Sequence, residues 1–205
     1  MQGTPPLVHA AIAAARSTGF PLSTDDPAYV PGQPTASLPG TGRFLAMLAA
    51  GCSGGRIAEL GTGIGIGAAW MASTMPADCT LVTAELDTDR AAVAAEVLAA
   101  DRRVRVLTGD AMTVLTPLAP FDLIFSDGGM RDAAGFTALV GMLQPGGHIV
   151  LDDVTPMAVL PMDSPLRKTD FKRDVFAAED RLVWSEAVLP DLENSLLVGT
   201  RIAGR

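Results

Sequence analysis

Glu59 closes a short apolar run, and Gly61-Thr62-Gly63-Ile64-Gly65-Ile66-Gly67 stands just behind it. An acid, alternating glycines and then the helix-forming stretch Ala68-Ala69-Trp70-Met71-Ala72 form a pattern with a known use. It brings the main chain of an α/β domain against a nucleotide-like ligand. The glycines let backbone approach the ligand and supply φ/ψ angles closed to other residues. Further acids follow at the ends of later apolar runs: Glu85, Asp110, Asp127 and the pair Asp152-Asp153. In open α/β sheets ligands bind beyond the carboxyl ends of the strands, so these acids belong to one edge of one site.

The elements that must position them can be read from periodicity. Candidate strands are 56–60, 80–85, 104–108, 121–126 and 147–152, and candidate helices are 66–75, 88–100, 111–116 and 132–143. The runs Ile57–Leu60, Leu123–Phe125 and Ile149–Leu151 are continuously apolar, as in a parallel sheet covered on both faces. Pro145-Gly146-Gly147 breaks the chain before the fifth strand. A helix at about 166–178 precedes two segments, 181–188 and 195–202, joined by a short polar connection that reads as an antiparallel hairpin. The expected fold is α/β: a doubly wound, Rossmann-like sheet of seven strands, mostly parallel, with an antiparallel last strand and a C-terminal β-hairpin.

The 205 residues read as one domain, 1–205. Within it, 1–42 hold an N-terminal helix (Pro5–Arg16) and a flap, and 43–205 form the ligand-binding core, opening on a short helix at Arg43–Ala50. The flap, Pro21–Gly42, carries five prolines and reads as neither helix nor inner strand. A loop of that length near a site is functional or a plain linker.

Bulk properties exclude several classes. The net charge of −8 speaks against a nucleic-acid partner. The basic spots at Arg102–Arg105 and Arg167–Arg173 are interleaved with acids and read as solvated surface. The uncharged stretch Leu60–Ala77 is too rich in Gly, Ser and Thr for a membrane span, so no membrane partner is expected. Cys52 and Cys79 have no CxxC spacing and suit a reducing cytoplasm. His9 and His148 are the only histidines, which excludes a His-rich zinc site.

Two ligands compete for the glycine-rich run. Gly63-x-Gly65-x-x-Ala68 fits a dinucleotide fingerprint, and Glu85 stands near the spacing of a ribose-binding acid. A diphosphate, however, would face Glu59, Asp110 and Asp127. S-adenosylmethionine carries a sulfonium and an ammonium and no phosphate, so acids at several strand ends suit it better. On that reading Glu85 holds the ribose hydroxyls, Asp110 accepts from the adenine amine, and Glu59 or Asp127 acts near the cationic methionine end. The alternative for strand-end acids, Asp110 above all, is capping of the following helix.

Five segments in order, Glu59–Gly65, Val82–Asp87, Val106–Asp110, Phe121–Asp127 and Pro145–Asp153, resemble the successive motifs of class I S-adenosylmethionine-dependent methyltransferases. The nearest type is the catechol and caffeoyl-CoA O-methyltransferase family, and the resemblance covers about residues 40–202. It implies an enzyme that methylates a hydroxylated small-molecule acceptor, works as a homodimer and uses a divalent ion such as Mg2+. The implied cofactor-binding set is Glu59, Gly61, Thr62, Gly63, Gly65, Gly67, Glu85, Leu86, Asp110, Ala111 and Asp127. The implied metal ligands are Asp127, Asp152 and Asp153, with Asp127 and Asp152 also placed at the chemistry.

This chain departs from the family pattern at three points. Asp153 stands where Asn is usual. Met130 occupies the place of a lysine that often serves as base, beside Arg131, which stays protonated. Gly67 replaces a serine. Asp152 and Asp153 converge only if their strand has ended, since neighbouring strand residues face opposite ways; otherwise they are a solvated turn or a cap. The proton would then go to Asp127, Asp152 or Asp153. His148, four residues upstream, reads as structural, and Trp70, Met71 and Met75 as core. Acceptor specificity is assigned to Pro21–Gly42 and Val154–Pro165, with Phe20, Tyr29, Met157 and Met162 as apolar candidates. Two other readings stay open: an NAD(P)-dependent oxidoreductase, and a non-catalytic S-adenosylmethionine-binding protein.

Overall fold

The computed structural model describes residues 3–128, 132–189 and 194–204. Seven strands form one sheet: β1 (Arg56–Leu60), β2 (Thr80–Glu85), β3 (Val104–Thr108), β4 (Phe121–Ser126), β5 (Leu143–Val154), β6 (Leu182–Val188) and β7 (Ser195–Arg201). Their order is β3-β2-β1-β4-β5-β7-β6. β1 to β5 pair in parallel, and β7 runs antiparallel between β5 and β6. The fold read from the sequence is therefore the fold observed. The order reverses at β1, with β2 on one side and β4 on the other, which is the switch point where such sheets bind ligands.

Alternate residues of the central strands feed two cores. Ile57, Leu81, Leu123, Phe125 and Val150 pack under α1 (Pro6–Thr18), α2 (Pro39–Ala50), α3 (Ile66–Ala72) and α4 (Thr88–Leu98). Ala58, Leu60, Ala84, Ile124, Ile149 and Leu151 face α5 (Ala111–Leu115), α6 (Ala133–Gly141) and α7 (Phe171–Ala178). Both sheet faces are thus covered, which is why these strands carry no polar alternation. Four of the described helices start on an aspartate that accepts main-chain N–H groups: Asp87, Asp110, Asp132 and Asp170. Such a cap contributes about 1 kcal/mol and fixes where each helix leaves the sheet.

Several boundaries differ from expectation. α2 begins at Pro39, inside the stretch read as non-helical, because proline at the first turn needs no N–H partner. α3 ends at Ala72, where Arg103 gathers the carbonyls of Ala72, Met75 and Pro76. Arg103 is a structural tie, and so are Arg167, bound to the Met157 and Leu160 carbonyls, and Arg173, paired with Asp170 and Glu186. These positions correct the solvated-surface reading. Pro145-Gly146-Gly147 lies within β5 rather than before it: the register moves from Phe121–Leu143 to Leu123–His148, and the extra residues bulge out. No described helix is long and apolar enough to cross a membrane.

Candidate active site

The carboxyl ends of β1 and β2 are stitched together at the glycine-rich turn. Both the Gly61 and Thr62 N–H groups donate to the Ala84 carbonyl, and Asp127 N–H donates to Leu60 O. Gly61 has φ +91°, and a Cβ there would collide with the Asp127 carbonyl oxygen. Only glycine fits between the two strand ends. Gly65, at the N-terminus of α3, instead makes room for Leu98, and it does not face the cavity described next.

A cavity of about 560 Å3 opens over this edge. Its floor is Gly61, Thr62, Gly63, Gly67, Glu85, Leu86, Asp110, Ala111, Asp127, Gly128 and Asp153; its roof is Phe20, Thr24, Tyr29 and Gly32–Ser37. The proline-rich segment is therefore a flap over the site. Its ends are tied by Ala36 N–H to Pro21 O (3.1 Å), and Asp26 accepts from the Leu22 and Ala28 N–H groups inside it. The Phe20 ring lies against Gly63, and Ser37 Oγ donates to Asp127 Oδ2 at 3.4 Å.

Each expected acid has its own setting. Glu85 is buried; Oε2 accepts from Gly63 N–H (2.8 Å), and Oε1 accepts from Asp87 N–H (3.0 Å) and from Arg90 (3.0 Å). Both Glu85 oxygens thus already accept donors, Oε1 from the Arg90 guanidinium among them. Asp110 lines the cavity and also caps α5, accepting from the N–H and hydroxyl of Thr113, both at 2.9 Å. Glu59 lies behind the turn, 1% exposed, and is not part of the cavity wall. It accepts from Thr83 Oγ1 at 2.5 Å, and Thr83 in turn meets Thr62 Oγ1 at 2.5 Å. Burial pushes the Glu59 carboxyl up to about 8, against the Thr83 hydrogen bond and with help from the Glu85 charge. A Cβ on Gly67 would collide with Glu59 Oε1 and would meet Ser37 Oγ at 3.2 Å. The missing serine side chain is therefore matched by a hydroxyl from the flap and a carboxyl from β1 that fill its space.

At the far end stand Asp127, Asp152 and Asp153. The β5–β7 register shifts between Leu151 and Val154, and Asp153 has φ +58°, so the strand kinks here. The kink buries Asp152 and turns Asp153 to the cavity. Asp152 Oδ1 accepts from Asp153 N–H (2.8 Å) and from the Asn194 amide. Burial raises the Asp152 carboxyl to about 6. Asp127 is raised well above the usual carboxylate range, first by burial and then by the charges of Asp152, Asp153 and Glu59.

The three aspartates do not make the metal centre that the resemblance implies. Among the described residues no group of three or more His, Cys, Asp or Glu side chains is placed to hold a metal ion. One oxygen of Asp152 already takes two donors, and Asp153, largely exposed, lies 4.0 Å from the Lys172 ammonium. Lys172 and Asn194 are site neighbours that the sequence reading missed. Lys172 follows the β5 loop at the start of α7, and Asn194 closes the polar connection before β7. Met130 and Arg131, weighed as base positions, lie outside the described residues. His148 bonds Thr200 across β5–β7, and Trp70 packs on Gly42, so both are structural as expected. Phe20 and Tyr29 line the cavity, whereas Met157 and Met162 do not.

Comparison with known proteins agrees with this fold. Residues 58–154 match a family model described as a methyltransferase domain. A catechol O-methyltransferase of Niastella koreensis is 36% identical over 138 residues, 60% of this chain and 60% of that protein. The match thus spans under two thirds of that curated relative. The O-methyltransferase TomG of Streptomyces achromogenes, involved in tomaymycin synthesis and solved with S-adenosylmethionine, has a TM-score of 0.71 at 25% identity, over 98% of this chain and 92% of that one. An O-methyltransferase of Bacillus cereus solved with S-adenosylhomocysteine shares the fold, with a TM-score of 0.71 at 21% identity over 98% of this chain and 93% of that one. The resemblance to class I S-adenosylmethionine-dependent methyltransferases is borne out.

Proposed function

We propose that this protein is an S-adenosylmethionine-dependent O-methyltransferase acting on a hydroxyl of a small molecule. The observation that carries the reading is the cavity itself. It is of nucleoside-ligand size, with Glu85 at one end and Asp127 and Asp153 at the other. A dinucleotide would have to bring its diphosphate against Asp127 and Asp153. The cationic sulfonium and ammonium of S-adenosylmethionine are drawn to the same place.

On this reading Gly61, Thr62, Gly63, Gly67, Glu85, Leu86, Asp110 and Ala111 bind the cofactor, and the flap closes over it. The acceptor hydroxyl lies at the Asp127 end. Its oxygen attacks the methyl carbon, the carbon–sulfur bond breaks, and the sulfur leaves as the neutral thioether S-adenosylhomocysteine. The hydroxyl proton passes to the ionised form of Asp127, a carboxyl held above the usual range first by burial and then by the charge of Asp152. Most of the acceleration comes from holding oxygen, methyl and sulfur in line. A divalent ion bound by this family would lower the hydroxyl pKa, but the aspartates here do not fit one, and no step above uses it. A catechol is the first acceptor to test, since the Niastella relative is named for it. A homodimer and a cytoplasmic setting complete the proposal, supported by the family resemblance and by two buried free cysteines.

The test is calorimetry with S-adenosylhomocysteine and with NADH and NADPH, followed by turnover on a catechol panel with Mg2+ and with EDTA. Binding of S-adenosylhomocysteine alone, with methylated product, is the expected result. Tight binding of a nicotinamide dinucleotide in its place would overturn the proposal.

A further inference from the structure

The kink at the end of β5 is clamped from two sides. Asn194 donates its amide to Asp152 Oδ1, and its carbonyl oxygen accepts from Val154 N–H at 3.1 Å. Lys172, in the first turn of α7, donates to both carbonyls of the kink: Asp152 O at 2.8 Å and Asp153 O at 3.0 Å. Its ammonium is also 4.0 Å from Asp153 Oδ2. The surrounding charges are nearly all negative. Asp127 and Asp153 line the cavity and Asp152 is buried next to Asp153, close enough for the charges of Asp152 and Asp153 to act on Asp127. The nearby Arg173 is engaged by Asp170 and Glu186 and donates to the Thr155 carbonyl, and it pairs with none of the three aspartates. Lys172 is one of two lysines in the chain, and it delivers its charge to the turn that holds two of the three acids.

We infer that Lys172 is the built-in cation of this acid cluster: it holds the Asp152–Asp153 turn in its left-handed kink and supplies the positive charge that a divalent ion would otherwise bring. Two consequences follow from the geometry. A divalent ion must compete with the ammonium for Asp153 and for the carbonyls of the turn. And the kink, which an aspartate adopts only at a cost in strain, is braced by the two carbonyl contacts together with the Asn194 clamp, which stays in place when Lys172 is replaced. Lys172 is a positioning residue, since it reaches the cavity only through Asp152 and Asp153. The inference rests on the proposed function for the claim that this end of the cavity is where the acceptor reacts.

The experiment titrates Mn2+, followed by electron paramagnetic resonance, into wild type, Lys172→Met and Lys172→Arg, each saturated with S-adenosylhomocysteine. Wild type and Lys172→Arg are expected to bind Mn2+ only at about millimolar concentration or weaker, and Lys172→Met at least about tenfold more tightly, as Asp152 and Asp153 lose their neighbouring cation. Stoichiometric micromolar binding by wild type overturns the inference whatever the variants do. So does a well-folded Lys172→Met, judged by its melting curve and S-adenosylhomocysteine binding, that gains no affinity for Mn2+. Failure of wild type to bind S-adenosylhomocysteine would instead count against the proposed function.

Discussion

Glu59 offers the sharpest test of how the cofactor's charge is met. Its carboxyl is fully buried and titrates near 8 rather than 4.5. The folded protein therefore binds a proton that the unfolded chain has released, at every pH between those values. Stability from this group is fully present below the unfolded value and is lost as pH rises through the folded one. At 1.36 kcal/mol per pH unit the loss reaches about 3 kcal/mol by pH 7 and about 5 kcal/mol above pH 8. Glu59→Gln keeps the shape and the acceptor for Thr83 but has no proton to lose, so its melting temperature should vary less between pH 5 and 8.

The functional half of the prediction concerns the ligand. With a carboxyl near 8, Glu59 holds about 0.9 proton at pH 7. If the cofactor's ammonium comes to lie at Gly67 and Ser37, with Glu59 just behind them, it favours the carboxylate and that proton is expelled. Calorimetric titration of S-adenosylhomocysteine at pH 7, in two buffers of different ionisation heat, counts the protons released. Wild type should release about 0.9 proton more than Glu59→Gln, and its affinity should rise with pH up to about 8 while that of the variant stays flatter. Protons from the ligand amine, Asp127 and Asp152 appear in both titrations and largely cancel. Equal release in the two proteins would refute the assignment of Glu59 to the cationic end.

Three further substitutions probe the edge of the site. Gly61→Ala drives a methyl into a backbone oxygen at φ +91°; left-handed strain of about 1–2 kcal/mol and crowding of about 1–3 kcal/mol should lower the melting temperature by roughly 4–20 °C. Gly54→Ala, at φ +63° with nothing nearer than 3.5 Å, carries the strain alone, and an equal loss in both proteins would count against the close approach of β1 and β4. Gly67→Ser restores the residue usual in the family, yet it should weaken S-adenosylhomocysteine binding at least about tenfold, because Glu59 Oε1 already stands where the new Cβ must go. Unchanged or tighter binding would show that Glu59 can yield. Arg90→Met frees the Glu85 oxygen that a ribose must reach, so binding should tighten by up to about tenfold, the worth of one charge-assisted hydrogen bond; weaker binding would mean that Arg90 helps to hold the ribose.

The fold and the glycine-turn edge of the cavity were legible because each rests on local signals. A strand, a helix and the glycine turn between them form one continuous stretch of chain, and the acids that end β1 to β4 follow directly on apolar runs. The Asp127–Asp153 end was not legible in the same way. Asp152 and Asp153 are adjacent in sequence, and alternation alone sends them to opposite faces; what decides their placement is a register shift against β7 and a positive φ. The register shift leaves no mark in β5 itself, and aspartate, though enriched among the non-glycine residues with positive φ, adopts it too seldom for the letter alone to announce the kink. The residues that fix the kink, Lys172 and Asn194, lie 20 and 42 positions beyond Asp152 and meet only when α7 and β7 have packed. Gly67 shows the same limit from the other side. As a sequence letter it is a lost hydroxyl; in the fold its space is filled by Ser37 from the flap and Glu59 from β1. A missing side chain therefore does not imply a missing function when the sheet edge collects groups from several segments. The departures at Gly67 and Asp153 are better read as exchanges, with Ser37 and Lys172 as the residues that took over.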